Sequence, residues 1–201
     1  MAGSSQLVKE LREKTGAGIL DCQKALSENG NDVEKSIDYL RQKGLAAAAK
    51  KAGRETNQGL IHSYIHMGGK IGVLIEVNCE TDFVARNEEF KSFVNDLALQ
   101  VAAAKPSFVK REDVPADVAE KEKAIYRAQM ENSGKPANVL EKIIEGKLGS
   151  FYSQFVLLDQ PSIRDGSMTV AQVVAQATAK TGENIQINRF VRYRMGEGAE
   201  A

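Results

Sequence analysis

The stretch of this sequence best suited to act on another molecule is residues 81–87, which read TDFVARN. It follows a strand-like run and precedes an apolar-periodic segment typical of a helix. Asp82 places a carboxylate at this corner, where it can disturb a phosphate or metal site, and Phe83 is bulky enough to wedge between side chains of a partner. No neighbouring residues build a pocket for chemistry of the chain's own. We therefore interpret the stretch as one that acts on another protein.

Phe83 also fits a purely structural role. If the following helix begins early, Phe83 joins a stripe at helical spacing, whose other members are Asn87, Phe90, Val94, Leu97 and Val101. Such a stripe can face the core of the protein as well as a partner. Spacing alone leaves both orientations of Phe83 open.

The residues that most often bind metals or act as nucleophiles form no evident site. His62 and His66 are the only histidines, and the alternation around them predicts a strand, in which four residues span about 13 Å. One metal ion cannot bridge that separation. Cys22 and Cys79 are the only cysteines and lack a paired-thiol motif, so we expect buried, reduced thiols. A cysteine-dependent enzyme is a weak interpretation, because Cys79 has no identifiable base or oxyanion site.

The sequence also lacks the usual means of cradling a nucleotide. Neither the GxxxxGK[ST] loop nor a GxGxxG loop after a strand occurs in it. We therefore expect a protein that is not an enzyme and that needs no cofactor and no metal of its own.

Charge and hydropathy exclude further classes. The 27 basic and 27 acidic side chains give a formal net charge of zero, whereas a general nucleic-acid binder needs a basic excess. We interpret the local cluster of Arg189, Arg192 and Arg194 as a solvated strand face with ion pairs. No apolar run approaches the ~20 residues needed to cross a bilayer. We expect a cytoplasmic protein without direct contacts to membrane or nucleic acid.

Three short helices are predicted over residues 6–45. Gly16 and Gly18 separate the first helix from the second, because two glycines so close favour a tight turn. Asp32 is the expected N-cap of the third helix, and Gly44 is its expected end. Together these helices would form a small bundle around one core.

The middle of the chain predicts a linker followed by a hairpin. The Ala-rich segment 45–51 favours helix, and 52–59 has the composition of an exposed connection. The runs 60–67 and 70–78 then flank Gly68-Gly69, a pair suited to a tight hairpin turn.

The remaining sequence alternates helical and strand signals. We predict a helix that stops at Lys105-Pro106, helices around 116–132 and 137–147, a helix that opens at 169–172 and ends before Gly182, and a strand over 184–195. The expected fold class is α+β, with a mainly antiparallel small sheet packed with helices. The expected domains are 1–45, a linker over 46–58, and a core over 59–201.

Several segments, in matching order, carry a resemblance to a known family. They are LVKELREKTGAGILDCQKAL, KKAGRE, GVLIEVNCETDFVARNEEF, AAAKPSF, IIEGKL and LLDQP. The first of these together with TDFVARN at this spacing is highly specific. The sequence resembles bacterial elongation factor Ts, and the resemblance covers almost the whole chain.

This resemblance implies both a fold and a function. It implies an N-terminal three-helix domain like the ubiquitin-associated domain, then a linker and an α+β core. It also implies guanine-nucleotide exchange on elongation factor Tu during translation elongation, in which the factor binds the GDP form, releases GDP and is displaced by GTP. Thr81, Asp82, Phe83 and Val84 match the motif implicated in displacing Mg²⁺ from the partner's nucleotide site.

The resemblance further assigns Lys9, Arg12, Ile19 and Leu20 to the domain that docks on the partner. From the residues alone these are equally well surface charges and bundle core. The chain resembles the short form with a single core, which is expected to pair as a homodimer. The alternative function is a ubiquitin-associated-type module joined to an RNA-binding core.

Overall fold

The computed structural model describes residues 2–130 and 136–197, with side chains from Ser5 onward. Within these ranges the elements are α1 (Ala2–Thr15), α2 (Ile19–Glu28), α3 (Val33–Lys51), β1 (Gln58–Ile65), β2 (Ile71–Cys79), α4 (Asp82–Arg86), α5 (Glu88–Ala104), α6 (Ala116–Met130), α7 (Ala137–Phe155), α8 (Val170–Thr181) and β3 (Gln186–Arg194). The strands form a three-stranded antiparallel sheet in the order β1-β2-β3. Helices pack against this sheet, which confirms the predicted α+β class.

Backbone contacts divide the chain into two compact units. The first comprises the N-terminal residues up to Ile61 together with Glu76–Val94 and Ala171–Ile187, and the second comprises His62–Ile75, Asn95–Val170 and the chain from Asn188 onward. The domain boundaries near residues 45 and 58 stay a prediction from sequence composition. No helix in the described part of the chain is long and apolar enough to span a membrane.

In the first unit, α1, α2 and α3 surround a small core of their own, formed by the buried side chains of Leu11, Cys22, Ala25 and Leu26. The turn between α1 and α2 uses Gly16, whose φ of 68° suits glycine. The Asp32 carboxylate accepts a hydrogen bond from the Lys35 amide at 3.0 Å, which confirms the predicted N-cap of α3. The likeness of this bundle to a ubiquitin-associated domain stays a prediction.

The third helix is longer than predicted, because it continues through Gly44 and ends at Lys51. The Ala-rich segment that follows Gly44 has the strongest intrinsic preference for helix and outweighs one glycine. Gly44 is buried, and a Cβ on it would lie 4.0 Å from the carbonyl oxygen of Ala175 in α8. The Lys51 ammonium donates to the Thr178 carbonyl oxygen at 3.5 Å. The predicted helical linker is therefore the end of α3.

In the second unit, α7 is also longer than predicted. It continues beyond Lys147 to Phe155, because its last turns place Phe151 in a buried cluster with Val114 and Val156. The rings of Phe151 and Phe155 lie 4.9 Å apart. The predicted end of α6 at Asn132 lies outside the described residues.

The hairpin of β1 and β2 turns where the sequence predicts. Gly68 and Gly69 have φ values of 86° and 68°, and the His66 amide donates to the Ile71 carbonyl oxygen at 2.9 Å. Gly59, near the start of β1, marks a much closer backbone approach. Its φ is 150°, and a Cβ on it would lie 2.3 Å from the Val77 carbonyl oxygen. Real Cβ atoms do not approach backbone so closely, so only glycine fits this position.

We expect Gly59→Ala to lower the free energy of unfolding by more than about 2 kcal/mol, because the strand must move to admit the methyl group. Urea unfolding followed by circular dichroism measures this. Gly146→Ala is the matched control: it lies in α7 with nothing within 4 Å of its Cβ position. It should raise the free energy of unfolding by roughly 0.5–1 kcal/mol. Equal unfolding midpoints for Gly59→Ala and the unmodified chain would contradict the close approach.

Candidate partner-binding site

The corner formed by residues 81–87 is a short capped helix. The Thr81 hydroxyl accepts a hydrogen bond from the Val84 amide at 3.4 Å and caps the start of α4. Arg86 reaches back along this five-residue helix to Asp82, with their charged atoms 3.0 Å apart. Thr81, Asp82 and Val84 are half-buried, with 44% of the Asp82 side chain exposed, and Arg86 is exposed. The corner is therefore partly packed against the protein, and both of its charged groups are accessible to a partner.

Asn87 separates this helix from the next one and decides the orientation of Phe83. Asn87 is extended, with φ −66° and ψ 131°, and its side-chain oxygen accepts a hydrogen bond from the Glu89 amide at 2.8 Å. The predicted stripe is therefore interrupted between Phe83 and Phe90. Phe90 is 3% exposed, whereas Phe83 is 84% exposed. Phe83 faces solvent, and the core interpretation of this residue is wrong.

An exposed aromatic side chain is a candidate binding residue, because a few large side chains provide much of the affinity of an interface. Beside Phe83 lies a shallow depression, lined also by Gln58, Glu80, Asp82 and Arg86. The surface at the corner thus combines a protruding ring, an acidic group and a basic group. This set can contact both apolar and charged groups of another protein.

The backbone before α4 is held by Glu183, which belongs to the last chain segment of the first unit. Glu183 lies in the loop between α8 and β3, and its carboxylate accepts three hydrogen bonds. The amides of Glu80 and Thr81 donate to Oε2 at 3.1 and 3.0 Å, and the Thr81 hydroxyl donates to Oε1 at 2.5 Å. We call this arrangement the Glu183 clamp. It ties the start of the corner to the start of β3.

A second carboxylate, on Glu80, connects the end of β2 back to the loop that contains Glu183. Glu80 accepts a hydrogen bond from the Asn184 amide at 2.6 Å and lies 3.4 Å from the guanidinium of Arg54. The side chain of Asn184 is buried, and its amide nitrogen donates to the carbonyl oxygens of Arg54 and Ala52 at 2.9 and 3.4 Å. The two loops therefore hold each other at several points.

Sequence reasoning missed Glu183 because no local signal identifies it. It lies 102 residues from Thr81 along the chain. Its neighbours, Gly182 and Asn184, indicate only a turn after a helix. A single sequence does not reveal such a pairing, because helical and strand periodicities report only on neighbours.

Three of the four N-terminal candidates line one groove. Lys9, Arg12 and Ile19 line an open groove of ≈ 1070 Å³, while Leu20 lies outside its lining. Ile19 is 51% and Leu20 80% exposed, so neither belongs to the bundle core. The interpretation of these two residues as core is wrong, because Cys22, Ala25 and Leu26 occupy the buried face of α2.

Lys180 is a further groove residue that sequence reasoning missed. It comes from the last turn of α8 and lines the same groove as Lys9 and Arg12. Its ammonium forms an ion pair with the Glu89 carboxylate at the start of α5. The groove is therefore lined by three basic side chains, by the acidic side chain of Glu13, and by apolar residues that include Val8 and Leu26.

The cysteines and histidines form no reactive site in the described structure. Cys22 and Cys79 are buried and free, as predicted. Burial, reinforced by the nearby Glu183 carboxylate, raises the pKa of Cys79 to about 11, so its thiol stays protonated near neutral pH. His62 and His66 have separate partners. Among the described residues, no group of three or more His, Cys, Asp and Glu side chains is arranged to hold a metal ion.

Two members of the basic cluster in β3, Arg192 and Arg194, form ion pairs as predicted, but Arg192 does not lie on a solvated face, because its side chain is only 9% exposed. Arg192 lies 2.9 Å from the Glu197 carboxylate and also donates to the Ala102 carbonyl oxygen at 3.2 Å. Arg194 lies 3.8 Å from the same carboxylate. This pairing reduces the positive charge available to bind phosphates, so the cluster does not favour the RNA-binding alternative.

Comparison with known proteins gives a consistent result. The family model described as Elongation factor TS matches residues 45–197. The chain is 59% identical over 197 residues to elongation factor Ts of Desulforamulus reducens, covering 98% of this chain and 91% of that protein. It is 60% identical over 195 residues to elongation factor Ts of Carboxydothermus hydrogenoformans, covering 97% and 90%. For that of Fervidobacterium nodosum the identity is 61% over 194 residues, covering 96% and 98%.

These similarities include the residues that form the corner. The family-model match contains both residues 81–87 and Glu183, and the relatives extend the similarity over almost the whole chain. The resemblance seen in the sequence is thereby confirmed. The chain belongs to the elongation factor Ts family of translation elongation factors.

Proposed function

We propose that this protein is a cytoplasmic guanine-nucleotide exchange factor that accelerates the release of GDP from elongation factor Tu. The observation that carries the proposal is the 84% exposure of Phe83 next to Asp82, on a helix whose start is fixed by hydrogen bonds. An apolar ring held outward from a fixed corner is suited to enter the surface of another protein. It has no comparable role inside its own chain.

The proposed mechanism acts on the metal site of the partner. In GTPases, Mg²⁺ bridges the phosphate oxygens and groups of the protein, and it helps to hold the nucleotide. Intrusion of Phe83 between the partner's helices would shift the groups that support this metal. The carboxylate of Asp82 would compete with the phosphate oxygens for the positive charge of the Mg²⁺ ion. The partner supplies nucleotide and metal, so the exchange factor needs no cofactor and forms no covalent bond.

Reciprocity makes such a factor work as a relay. A factor that lowers the affinity of its partner for GDP must have its own affinity lowered by GDP to the same extent. The same relation lets GTP expel the factor after GDP has left. The protein therefore changes a rate of release by binding, which is why we do not class it as an enzyme.

We propose that the N-terminal bundle docks on the partner and leaves the corner to act on the nucleotide site. The exposed pair Ile19 and Leu20 and the basic side chains of Lys9 and Arg12 support this assignment. In this division, residues 1–45 dock, 46–58 connect, and the core over 59–201 carries the corner and pairs with a second copy.

The outward face of the sheet in the second unit supports a homodimer. Ile65, Leu74, Val191 and Tyr193 are 67%, 46%, 39% and 71% exposed. A Cβ on Gly72 would lie 3.2 Å from Cδ1 of Ile65, so the Ile65 side chain lies over the neighbouring strand. An apolar patch of this kind on a regular sheet is typical of an interface. A second copy of the chain presents the same patch and can cover it.

The proposed intrusion of Asp82 and Phe83, which we call the wedge, predicts that removing both side chains slows GDP release strongly. We expect Asp82→Ala with Phe83→Ala to slow the release of fluorescently labelled GDP from elongation factor Tu at least about tenfold, because central aromatic and charged contacts dominate interface energy. Stopped-flow fluorescence measures the release. Ile163→Ala, which shortens a side chain that is 42% exposed in the second unit, is the control and should act like the unmodified chain.

One result would contradict the exchange function, and another would contradict only the wedge. If the unmodified chain does not accelerate GDP release, the exchange function is wrong. If the double variant is folded and as fast as the unmodified chain, exchange stands but the wedge is wrong.

Docking predicts a change in affinity rather than in maximal rate. We expect Ile19→Ala with Leu20→Ala to raise the half-saturating concentration of the factor about tenfold, because two exposed apolar contacts are lost. The maximal rate of GDP release should stay within about twofold. Leu45→Ala, at a residue that is 40% exposed in the same unit, is the control. A lower maximal rate with unchanged half-saturation would contradict the division between docking and displacement.

The sheet face predicts the oligomeric state. Light scattering coupled to gel filtration should give twice the mass of the chain, and Ile65→Lys with Tyr193→Lys should give the mass of a single chain, because buried unpaired charges oppose association. Leu20→Lys, which changes an equally exposed residue of the first unit, should remain dimeric. A dimeric mass for the sheet variant would exclude this face as the interface.

A further inference from the structure

We infer that Glu183 is a positioning residue for nucleotide exchange, which holds the backbone at Thr81 so that Phe83 projects in a preset direction. The inference rests on the proposed function. It assigns part of that function to a side chain that lies outside the 81–87 corner and that the sequence motifs do not include.

Both oxygens of the Glu183 carboxylate accept hydrogen bonds. Its Oε2 atom accepts the amides of Glu80 and Thr81, and its Oε1 atom accepts the Thr81 hydroxyl at 2.5 Å. Hydrogen bonds to an ionised acceptor are shorter and stronger than neutral ones. Two amides and one hydroxyl in a fixed pattern determine both the direction of the backbone and the rotamer of Thr81.

The Thr81 hydroxyl connects the clamp to the cap of α4. Since this hydroxyl donates to Glu183, its lone pairs are free to accept from the Val84 amide, which lies 3.4 Å away. The carboxylate thus orients the cap of α4 as well as the strand that leads to it. The Thr81 carbonyl oxygen accepts the Ala85 amide at 3.2 Å and closes the first turn.

Packing fixes the position of α4 only in part. It has five residues, of which Asp82, Val84 and Ala85 are half-buried and none is fully buried. A helix this short is not stable alone, because nucleation costs more than one turn of hydrogen bonds returns. Phe83 has almost no packing of its own at 84% exposure. The placement of its ring therefore depends on the two ends of the helix, and the Glu183 clamp fixes the first end.

The Glu183 clamp is itself anchored through the residues on both sides of Glu183. Gly182 ends α8 with φ 77°, and its amide donates to the Thr178 carbonyl oxygen at 3.0 Å. On the other side of Glu183, the buried Asn184 is bound to the carbonyl oxygens of Ala52 and Arg54. The carboxylate therefore lies between two fixed residues and can transmit that rigidity to Thr81.

Coupling to Phe83 separates positioning from a purely structural role. If Glu183 acts by aiming Phe83, its removal matters only while the ring is present. If Glu183 only stabilises the fold, its removal lowers exchange by the same factor with or without the ring. Double-mutant cycles measure this difference, because residues that act through one another are not additive.

The experiment measures GDP release from elongation factor Tu with the full-length chain. Glu183→Gln keeps the shape but removes the negative charge that strengthens the three bonds of the clamp, and it turns one oxygen into a donor, so that the bond with the Thr81 hydroxyl must reverse its direction. We expect the maximal rate to fall about tenfold with half-saturation within about threefold, since small misplacements have large effects on rate. With Phe83→Ala already present, the same substitution should change the rate less than about twofold. Glu120→Gln, which breaks a surface pair with Lys123, is the control and should have no effect.

The outcomes separate the two levels. No acceleration by the unmodified chain would overturn the exchange function and this inference together. Acceleration by the unmodified chain, with Glu183→Gln equally fast or with an equal loss in both backgrounds, would overturn only the inference. If circular dichroism shows that Glu183→Gln is unfolded, Thr81→Val replaces it, because this change removes the hydroxyl that donates to Oε1 and caps α4 but leaves both amide bonds to Oε2 in place. It must show the same loss and the same dependence on Phe83, and rates equal to those of the unmodified chain would overturn the inference.

Discussion

Three hydrogen-bond donors from Glu80 and Thr81 converge on the carboxylate of Glu183. These bonds join the end of β2 and the start of α4 to the loop before β3. Backbone amides at a helix start lack partners within the helix and need an external acceptor. A carboxylate from a loop 102 residues away supplies that acceptor for Thr81. The exposed corner is therefore continuous with the sheet rather than an appendage to it.

The structure separates what stabilises the protein from what it offers to partners. Buried side chains such as Val77, Cys79 and Val94 are fully enclosed, whereas Phe83, Leu20 and Tyr193 are exposed on different elements. Exposed apolar residues contribute little to folding, so they can be selected for binding alone. Hydrogen bonds at Glu80 and Thr81, rather than packing of the ring, fix the backbone that leads to Phe83. This arrangement limits the entropy that the corner would lose on meeting a partner.

Local signals in the sequence predict those elements that neighbouring residues determine. The Asp32 cap, the Gly68-Gly69 turn and the end of α8 before Gly182 follow from residue type and spacing. Gly44 was wrong as a helix end, because burial against α8 and a run of alanines outweigh one glycine. The orientation of Phe83 was undecidable, because helical periodicity holds only within one continuous helix and Asn87 interrupts it. Glu183 was invisible, since its partners are distant in sequence.

In the proposed relay, docking and displacement contribute differently to exchange. Interactions that the N-terminal groove makes equally with the GDP-bound and the nucleotide-free partner raise affinity for both states and leave GDP release unchanged. Only interactions that form when the metal site is disturbed couple the binding of the factor to the loss of GDP. Any free energy spent on ordering the corner during binding would be subtracted from that coupling. Under this proposal, a corner ordered in advance by Glu183 and Thr81 would leave more of the binding free energy of Phe83 to oppose GDP.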